Sequence, residues 1–126
     1  MIVKLPFPAA TMFPNRKNGR FWAATNKIKE LQKDEAYWLT KKAGKFAEPE
    51  GNIPLSLLFL TPDNRHRDTD NMLAAAKHIL DGMAEALGVN DKRFKPLLVD
   101  WAHGGDKIGS LVVAVNVHVV SYQEMP

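Results

Sequence analysis

The spacing of apolar and polar residues changes several times along this chain, and each change marks an element. Ile2 to Phe7 reads as a short strand closed by prolines. Pro8 to Arg20 is rich in Pro, Asn and Gly, the composition of a loop. Thr25 or Asn26 is then placed to cap a helix running to about Lys45. Ile28, Leu31, Leu39, Ala43 and Phe46 form its core-facing stripe, with Trp38 beside them. Lys27, Lys33, Lys41 and Lys42 against Glu30, Asp34 and Glu35 read as its solvated face. After a turn over Glu48 to Asn52, Pro54 to Thr61 is strongly apolar and too short for a helix, so it predicts a central, largely buried strand. Asn71 to Gly88 carries the clearest helical pattern. Met72, Ala76, Ile79, Leu80, Met83 and Leu87 make one stripe, and Gly88 supplies the stop. Leu97 to His103, a turn over Gly104 to Lys107, and Ser110 to Val120 predict a β-hairpin, with Val113, Val115, Val117 and Val119 on its core face.

The order strand, helix, strand, helix, strand, strand predicts one α/β domain over residues 1–126. Its mixed sheet has about four strands, packed with two main helices. Composition agrees with that class. The 126 residues are 45% hydrophobic and 25% charged, which argues against disorder, collagen and coiled coil. The absence of cysteine excludes a disulfide scaffold, a Cys-based zinc site and a thiol nucleophile. No run approaches the roughly 18 unbroken apolar residues of a membrane-spanning helix. The apolar start is broken by Pro6 and Pro8, unlike a secretory signal, so a soluble cytoplasmic protein is expected. Seventeen Lys and Arg against 14 Asp and Glu give a net charge of +3, which permits a polyanionic partner without demanding one.

Candidate chemistry concentrates between Asp63 and Asp70, in Asp-Asn-Arg-His-Arg-Asp-Thr-Asp. Arg65, His66 and Arg67 precede two carboxylates one residue apart. In extended backbone Asp68 and Asp70 point to one side, and where a strand gives way to a helix both can face one point. Converging carboxylates need neutralising, and hard oxygen ligands suit Mg²⁺ or Mn²⁺. For an isolated Asp-x-Asp the commoner explanation is a helix cap near Asn71. Lys77 lies seven residues after Asp70, nearly two turns on, where a helical lysine leans back toward it; a salt bridge to Asp81 at i+4 is the structural alternative. Asp91 follows the helix stop and can return to the first two carboxylates, with Lys92, Arg93 and Lys95 bringing positive charge. Carboxylates for metal ringed by cations for phosphate are what phosphodiester hydrolysis needs. The basic tip from Pro14 to Arg20, with Asn15 and Arg16 and followed by Phe21 and Trp22, reads on its own as an ordinary surface loop. The four histidines show no ligand spacing and are read as non-catalytic.

These residues resemble the RusA family of Holliday junction resolvases, small endonucleases common in bacteria and their prophages. The resemblance spans most of the chain. It runs through Leu5-Pro6-Phe7-Pro8, Phe13-Pro14-Asn15, the core Arg65-His66-Arg67-Asp68-Thr69-Asp70-Asn71, then Lys77, Leu80-Asp81-Gly82 and Asn90-Asp91. It implies a homodimer of mixed α/β subunits that cuts four-way DNA junctions with Mg²⁺ or Mn²⁺ and no organic cofactor. Asp68, Asp70 and Asp91 match the family's metal-binding aspartates, and Lys77 is similar to its helix lysine. Arg65, Arg67, Asn71, Lys92, Arg93, Asn15 and Arg16 are the candidate DNA-binding residues. Two departures stand out. Many relatives place the lysine four residues after the second aspartate, at Ala74 here, and many have two acidic residues at Asn90-Asp91. A non-cleaving branched-DNA-binding module, or a hydrolase of small phosphate esters, are the alternatives. The intact aspartate trio favours the endonuclease.

Overall fold

In the computed structural model, which describes residues 1–13, 22–104 and 106–116, the longest apolar run becomes the middle of the sheet. The elements are β1 (Ile2–Pro6), α1 (Trp22–Lys42), β2 (Ile53–Thr61), α2 (Thr69–Ala75), α3 (Lys77–Leu87), β3 (Phe94–His103) and β4 (Ser110–Val115), with 3₁₀ turns at Ala10–Met12 and Asp91–Arg93. Over the described residues the fold is α/β, a four-stranded mixed sheet in the order β1-β4-β2-β3 with three helices.

The sheet is built differently from the expected hairpin. β3 runs parallel to β2, with Leu57 opposite Val99 and Phe59 opposite Trp101. β4 instead lies antiparallel between β2 and β1, pairing Phe59 with Leu111 and Leu5 with Leu111 from its two sides. The physical reason is the crossover. α2 and α3 carry the chain from the end of β2 back to its start, so β3 adds in parallel at one edge. β4 then takes the more buried slot. Its residues Leu111, Val113 and Val115 are in the core, and Ala114 is equally buried. Residues 117–120 of the expected strand lie outside the described residues. β3 also begins at Phe94, ahead of Leu97. Between Ile53–Phe94 and Leu55–Leu97 two steps along β2 face three along β3, a bulge that accommodates Pro96, which has no N–H to give the ladder.

The core joins Ile53, Leu55, Leu57 and Phe59 of β2 to Met72, Ile79 and Met83 of α2 and α3 and to Ala36 of α1. α1 starts at Trp22, so Thr25 and Asn26 lie inside it rather than capping it, and it stops before Gly44, whose φ of 117° suits glycine. The expected stripe is buried only in part: Leu39 and Phe46 pack against the core, whereas Leu31 and Trp38 are 60% and 57% exposed. They stand about 140–160° around the helix from the fully buried Ala36. That facing is fixed where α1 crosses α3 at Gly82, whose missing Cβ would lie 2.2 Å from the Lys33 carbonyl oxygen. The expected second helix is two helices. At Ala76 (φ −92°, ψ 0°) the N–H bonds both Met72 and Leu73 carbonyls at 3.1 Å, tightening one turn before α3 resumes. Gly88, at φ 72°, ends α3 as expected.

Candidate functional site

The segment leaving β2 is ordered by its own charges. Asp63 Oδ1 accepts from the Arg65 N–H at 2.9 Å. Both Arg67 terminal nitrogens donate to the Asp63 carboxylate, at 2.9 and 3.3 Å. This fork of donors holds the Asp63 carboxyl below its ordinary range. It also fixes the Arg67 guanidinium 5.5 Å over the Phe7 ring. Asp68 follows at the N-cap position of α2. Its main-chain oxygen accepts from Met72 N–H at 3.0 Å, yet its carboxylate makes no capping bond and stands 3.4 Å from His66 Nε2. That side chain is therefore not spent on the helix end.

Asp70 lies one turn-step inside α2, its Oδ1 accepting from the Asn71 N–H at 3.1 Å. Asp68 and Asp70 consequently line different hollows rather than facing one point. Asp68 lines a groove of about 600 Å³ with Phe7, Phe13 and Arg65, whereas Asp70 lines a cleft of about 520 Å³ with Lys77 and Asp91. The cause is the helix start. Helical backbone begins at Thr69, so Asp70 is rotated away from the direction that an extended Asp-x-Asp would give.

The second group gathers differently from the expectation, since Asp91 returns to Lys77 and shares a cleft with Asp70 but not with Asp68. Gly88 turns the chain after α3, and Asn90 Oδ1 accepts from the Lys92 N–H at 2.9 Å, shaping the turn that opens on Asp91. Lys77 Nζ then donates to Asp91 Oδ2 at 2.7 Å and to Asp81 Oδ1 at 2.5 Å. The two carboxylates raise the Lys77 pKa, and the ammonium lowers that of Asp91. Asp81 enters the cluster through the i+4 spacing noted in the sequence. Leu73, Ala74, Leu80, Phe94 and Leu97 form the apolar walls, so Ala74 and Lys77 face the same cleft despite the break at Ala76.

The remaining candidates are divided. Arg65 and Lys92 are exposed and Asn71 is half-buried on the Asp68 groove. Arg93 is tied to the turn before β2, donating to Glu48 Oε2 at 2.9 Å and to the carbonyls of Gly51 at 2.9 Å and Pro49 at 2.6 Å. Asn15 and Arg16 lie outside the described residues. His78 is buried, its Nε2 2.8 Å from Gln32 Oε1, and Gln32 in turn holds Phe7 O and Ala9 N–H at 3.1 Å. Burial, helped by Lys29, lowers the His78 pKa to about 4.

Among the described residues no group of three His, Cys, Asp or Glu side chains gathers closely enough to hold one metal ion. The donors nevertheless suit a hard cation in kind. Asp70 and Asp91 present carboxylates to one cleft, and Mg²⁺ is commonly held by one or two carboxylates together with water and substrate phosphate. A cation already sits at this place, since the Lys77 ammonium bridges Asp81 and Asp91.

Fold and site thus define a small α/β protein with a carboxylate–lysine cleft beside its parallel edge strand. The chain is 35% identical over 110 residues to an uncharacterized protein of Xylella fastidiosa (strain Temecula1), covering 82% of this chain and 71% of that relative. It belongs to the same family as that protein. No family model matches it. Among the described residues no helix is long and apolar enough to cross a membrane.

Proposed function

We propose that this protein is a metal-dependent endodeoxyribonuclease of branched DNA, resolving four-way junctions by paired phosphodiester hydrolysis as a homodimer in the cytoplasm. The observation that carries the reading is the cleft in which Lys77, salt-bridged to Asp91, faces a space also lined by Asp70. Asp70 and Asp91 would hold Mg²⁺ or Mn²⁺ there. The ion, when bound, supplies charge neutralisation and a water of lowered pKa.

The chain's own groups do the rest. Lys77 stays protonated, because its two carboxylates favour the charged form, so it donates hydrogen bonds and is no base. Its ammonium is positioned to stabilise charge growing on a phosphate oxygen or a leaving oxygen. The exposed Arg65 and Lys92 grip flanking phosphates, which makes binding fall steeply with salt. The two-fold symmetry of a C2 dimer matches the opposed cuts that a four-way junction requires.

One observation favours a second reading, a branched-DNA-binding module without cleavage. Asp91 is already neutralised by Lys77, and Asp68 lines the neighbouring groove rather than the cleft. Incubation of a labelled synthetic four-way junction, a linear duplex and a single strand with Mg²⁺, Mn²⁺ or EDTA separates the two. Paired metal-dependent nicks on the junction support the nuclease, and tight junction binding without nicks in either metal replaces it with the binding module.

A further inference from the structure

The groove beside Asp68 has a chemistry that phosphate cleavage does not use. Phe13 stacks against Phe7, with ring centroids 6.3 Å apart and planes 27° apart, and Phe7 meets Phe59 of the core edge-on at 6.2 Å. The pair is thus anchored from below, while Phe13 remains only half-buried. The Arg67 guanidinium is locked over Phe7 by its fork to Asp63, so one cation is fixed against the ring pair. Arg65 and His66, both exposed, rim the same groove, and Asn71 lines it. Its volume of about 600 Å³ falls within the roughly 300–1,000 Å³ of small-ligand pockets.

Aromatic faces joined to guanidinium and imidazole are the recognition chemistry of an unpaired nucleotide. Phe13 takes the flat base, the exposed Arg65 guanidinium takes its phosphate, and the Asn71 side chain can read hydrogen-bonding edges. A base inside a duplex has both faces covered and cannot use such a surface. The groove is also next to the cleft, since Asp68 and Asp70 are two residues apart and at most about 7 Å of backbone separates them.

We infer that this groove is a stacking subsite for one unstacked nucleotide of a DNA strand, with Phe13 as its platform, adjacent to the phosphate held at the Lys77 cleft. The inference rests on the nuclease reading for what lies in the cleft, but the subsite itself needs no cleavage. It selects branched or single-stranded DNA over closed duplex.

The test is fluorescence anisotropy in EDTA with three labelled probes: a single-stranded oligonucleotide, a synthetic four-way junction and a blunt-ended, fully paired linear duplex. Phe13→Ala is expected to weaken the first two by between about 5- and 150-fold, the range of one lost base–aromatic stack. Duplex affinity and the salt dependence should stay unchanged, because no phosphate contact is removed. Phe13→Leu, which keeps apolar bulk for folding, should resemble Phe13→Ala, and Phe13→Tyr should bind within about twofold of the parent. Equal affinity of the Leu and Tyr variants for single strands, or an equal loss on duplex, overturns the subsite. Cleavage assays of the same proteins keep the two claims apart. Selective loss of stacking in a protein that never cleaves leaves the subsite standing and the nuclease fallen. Metal-dependent junction cleavage with no effect of position 13 on binding does the reverse.

Discussion

The Lys77 ammonium lies 2.7 Å from the Asp91 carboxylate, fourteen residues further along the chain, and this bond closes the loop after α3 onto the start of that helix. Two local devices make it possible. The αL turn at Gly88 reverses the chain, and the Asn90 side chain fixes the start of the turn that carries Asp91. Asp81 completes the clamp from one helical turn away.

Replacing Lys77 by Met should cost little stability, within about 1 kcal/mol, because the ion pairs are solvent-accessible. Under the proposed chemistry the same change should lower single-turnover junction cleavage about 10²–10³-fold, the usual loss for a donor to developing charge. A thermal melt beside the cleavage time course separates the two effects. Equal loss of fold and activity would make Lys77 a structural residue.

Gly82→Ala should destabilise the fold by about 1–3 kcal/mol, since the new methyl meets the Lys33 carbonyl oxygen at 2.2 Å and α1 must move away from α3. Urea titration measures it as a lower midpoint at unchanged slope.

Acid should weaken the protein in a window set by His78. The unfolded chain takes up its proton near 6.5, whereas the buried ring does so only at about 4. The unfolded state therefore binds more protons between those values. The contribution is complete above pH 6.5 and is lost as the pH falls toward 4, by at most about 3 kcal/mol. His78→Gln, which titrates nowhere in this range, should flatten urea stability between pH 6.5 and 4.

Arg93→Ala should reduce stability by about 1–2 kcal/mol through its three lost bonds to the turn at residues 48–51, while junction affinity changes less than twofold. Arg65→Ala should do the opposite, because that exposed side chain supports nothing in the core and faces the groove. Denaturant curves and anisotropy on both variants check the pair.

What could be read in the chain beforehand follows the range of the forces involved. The buried run at residues 54–61 and the helix stop at Gly88 are local patterns, and both elements formed where their patterns lay. The hairpin was not local information. Which strand lies beside β2 depends on the handover through α2 and α3, and a short polar turn before Ser110 looks the same whether or not the strands it joins are neighbours. Nor could the break at Ala76 be read from Ala74-Ala75-Ala76, three strong helix formers in succession. The exposure of Leu31 and Trp38 was hidden for another reason. The face of α1 that is buried is chosen by a backbone contact at Gly82, not by where the large apolar residues fall.

The site divides along the same line. Helical spacing offered the Lys77–Asp81 pair and the turn after Gly88 the return of Asp91, but the sequence aimed Lys77 at Asp70, whereas the structure joins it to Asp81 and Asp91. The separation of Asp68 from Asp70 required knowing that the helix starts at Thr69 and not two residues later. The groove above Phe7 and Phe13 joins the end of β1 to the exit of β2, positions more than 50 residues apart, and nothing local announces it.

Single-turnover cleavage of a labelled four-way junction by Asp70→Asn and Asp91→Asn, each with its junction affinity measured in EDTA, tests the central claim most directly. Paired, opposed, Mg²⁺-dependent nicks by the parent protein are expected, with at least about 10²-fold slower cleavage in both variants and binding kept. Unchanged cleavage in either variant, or no cleavage by a parent that binds the junction tightly in both Mg²⁺ and Mn²⁺, would contradict that claim.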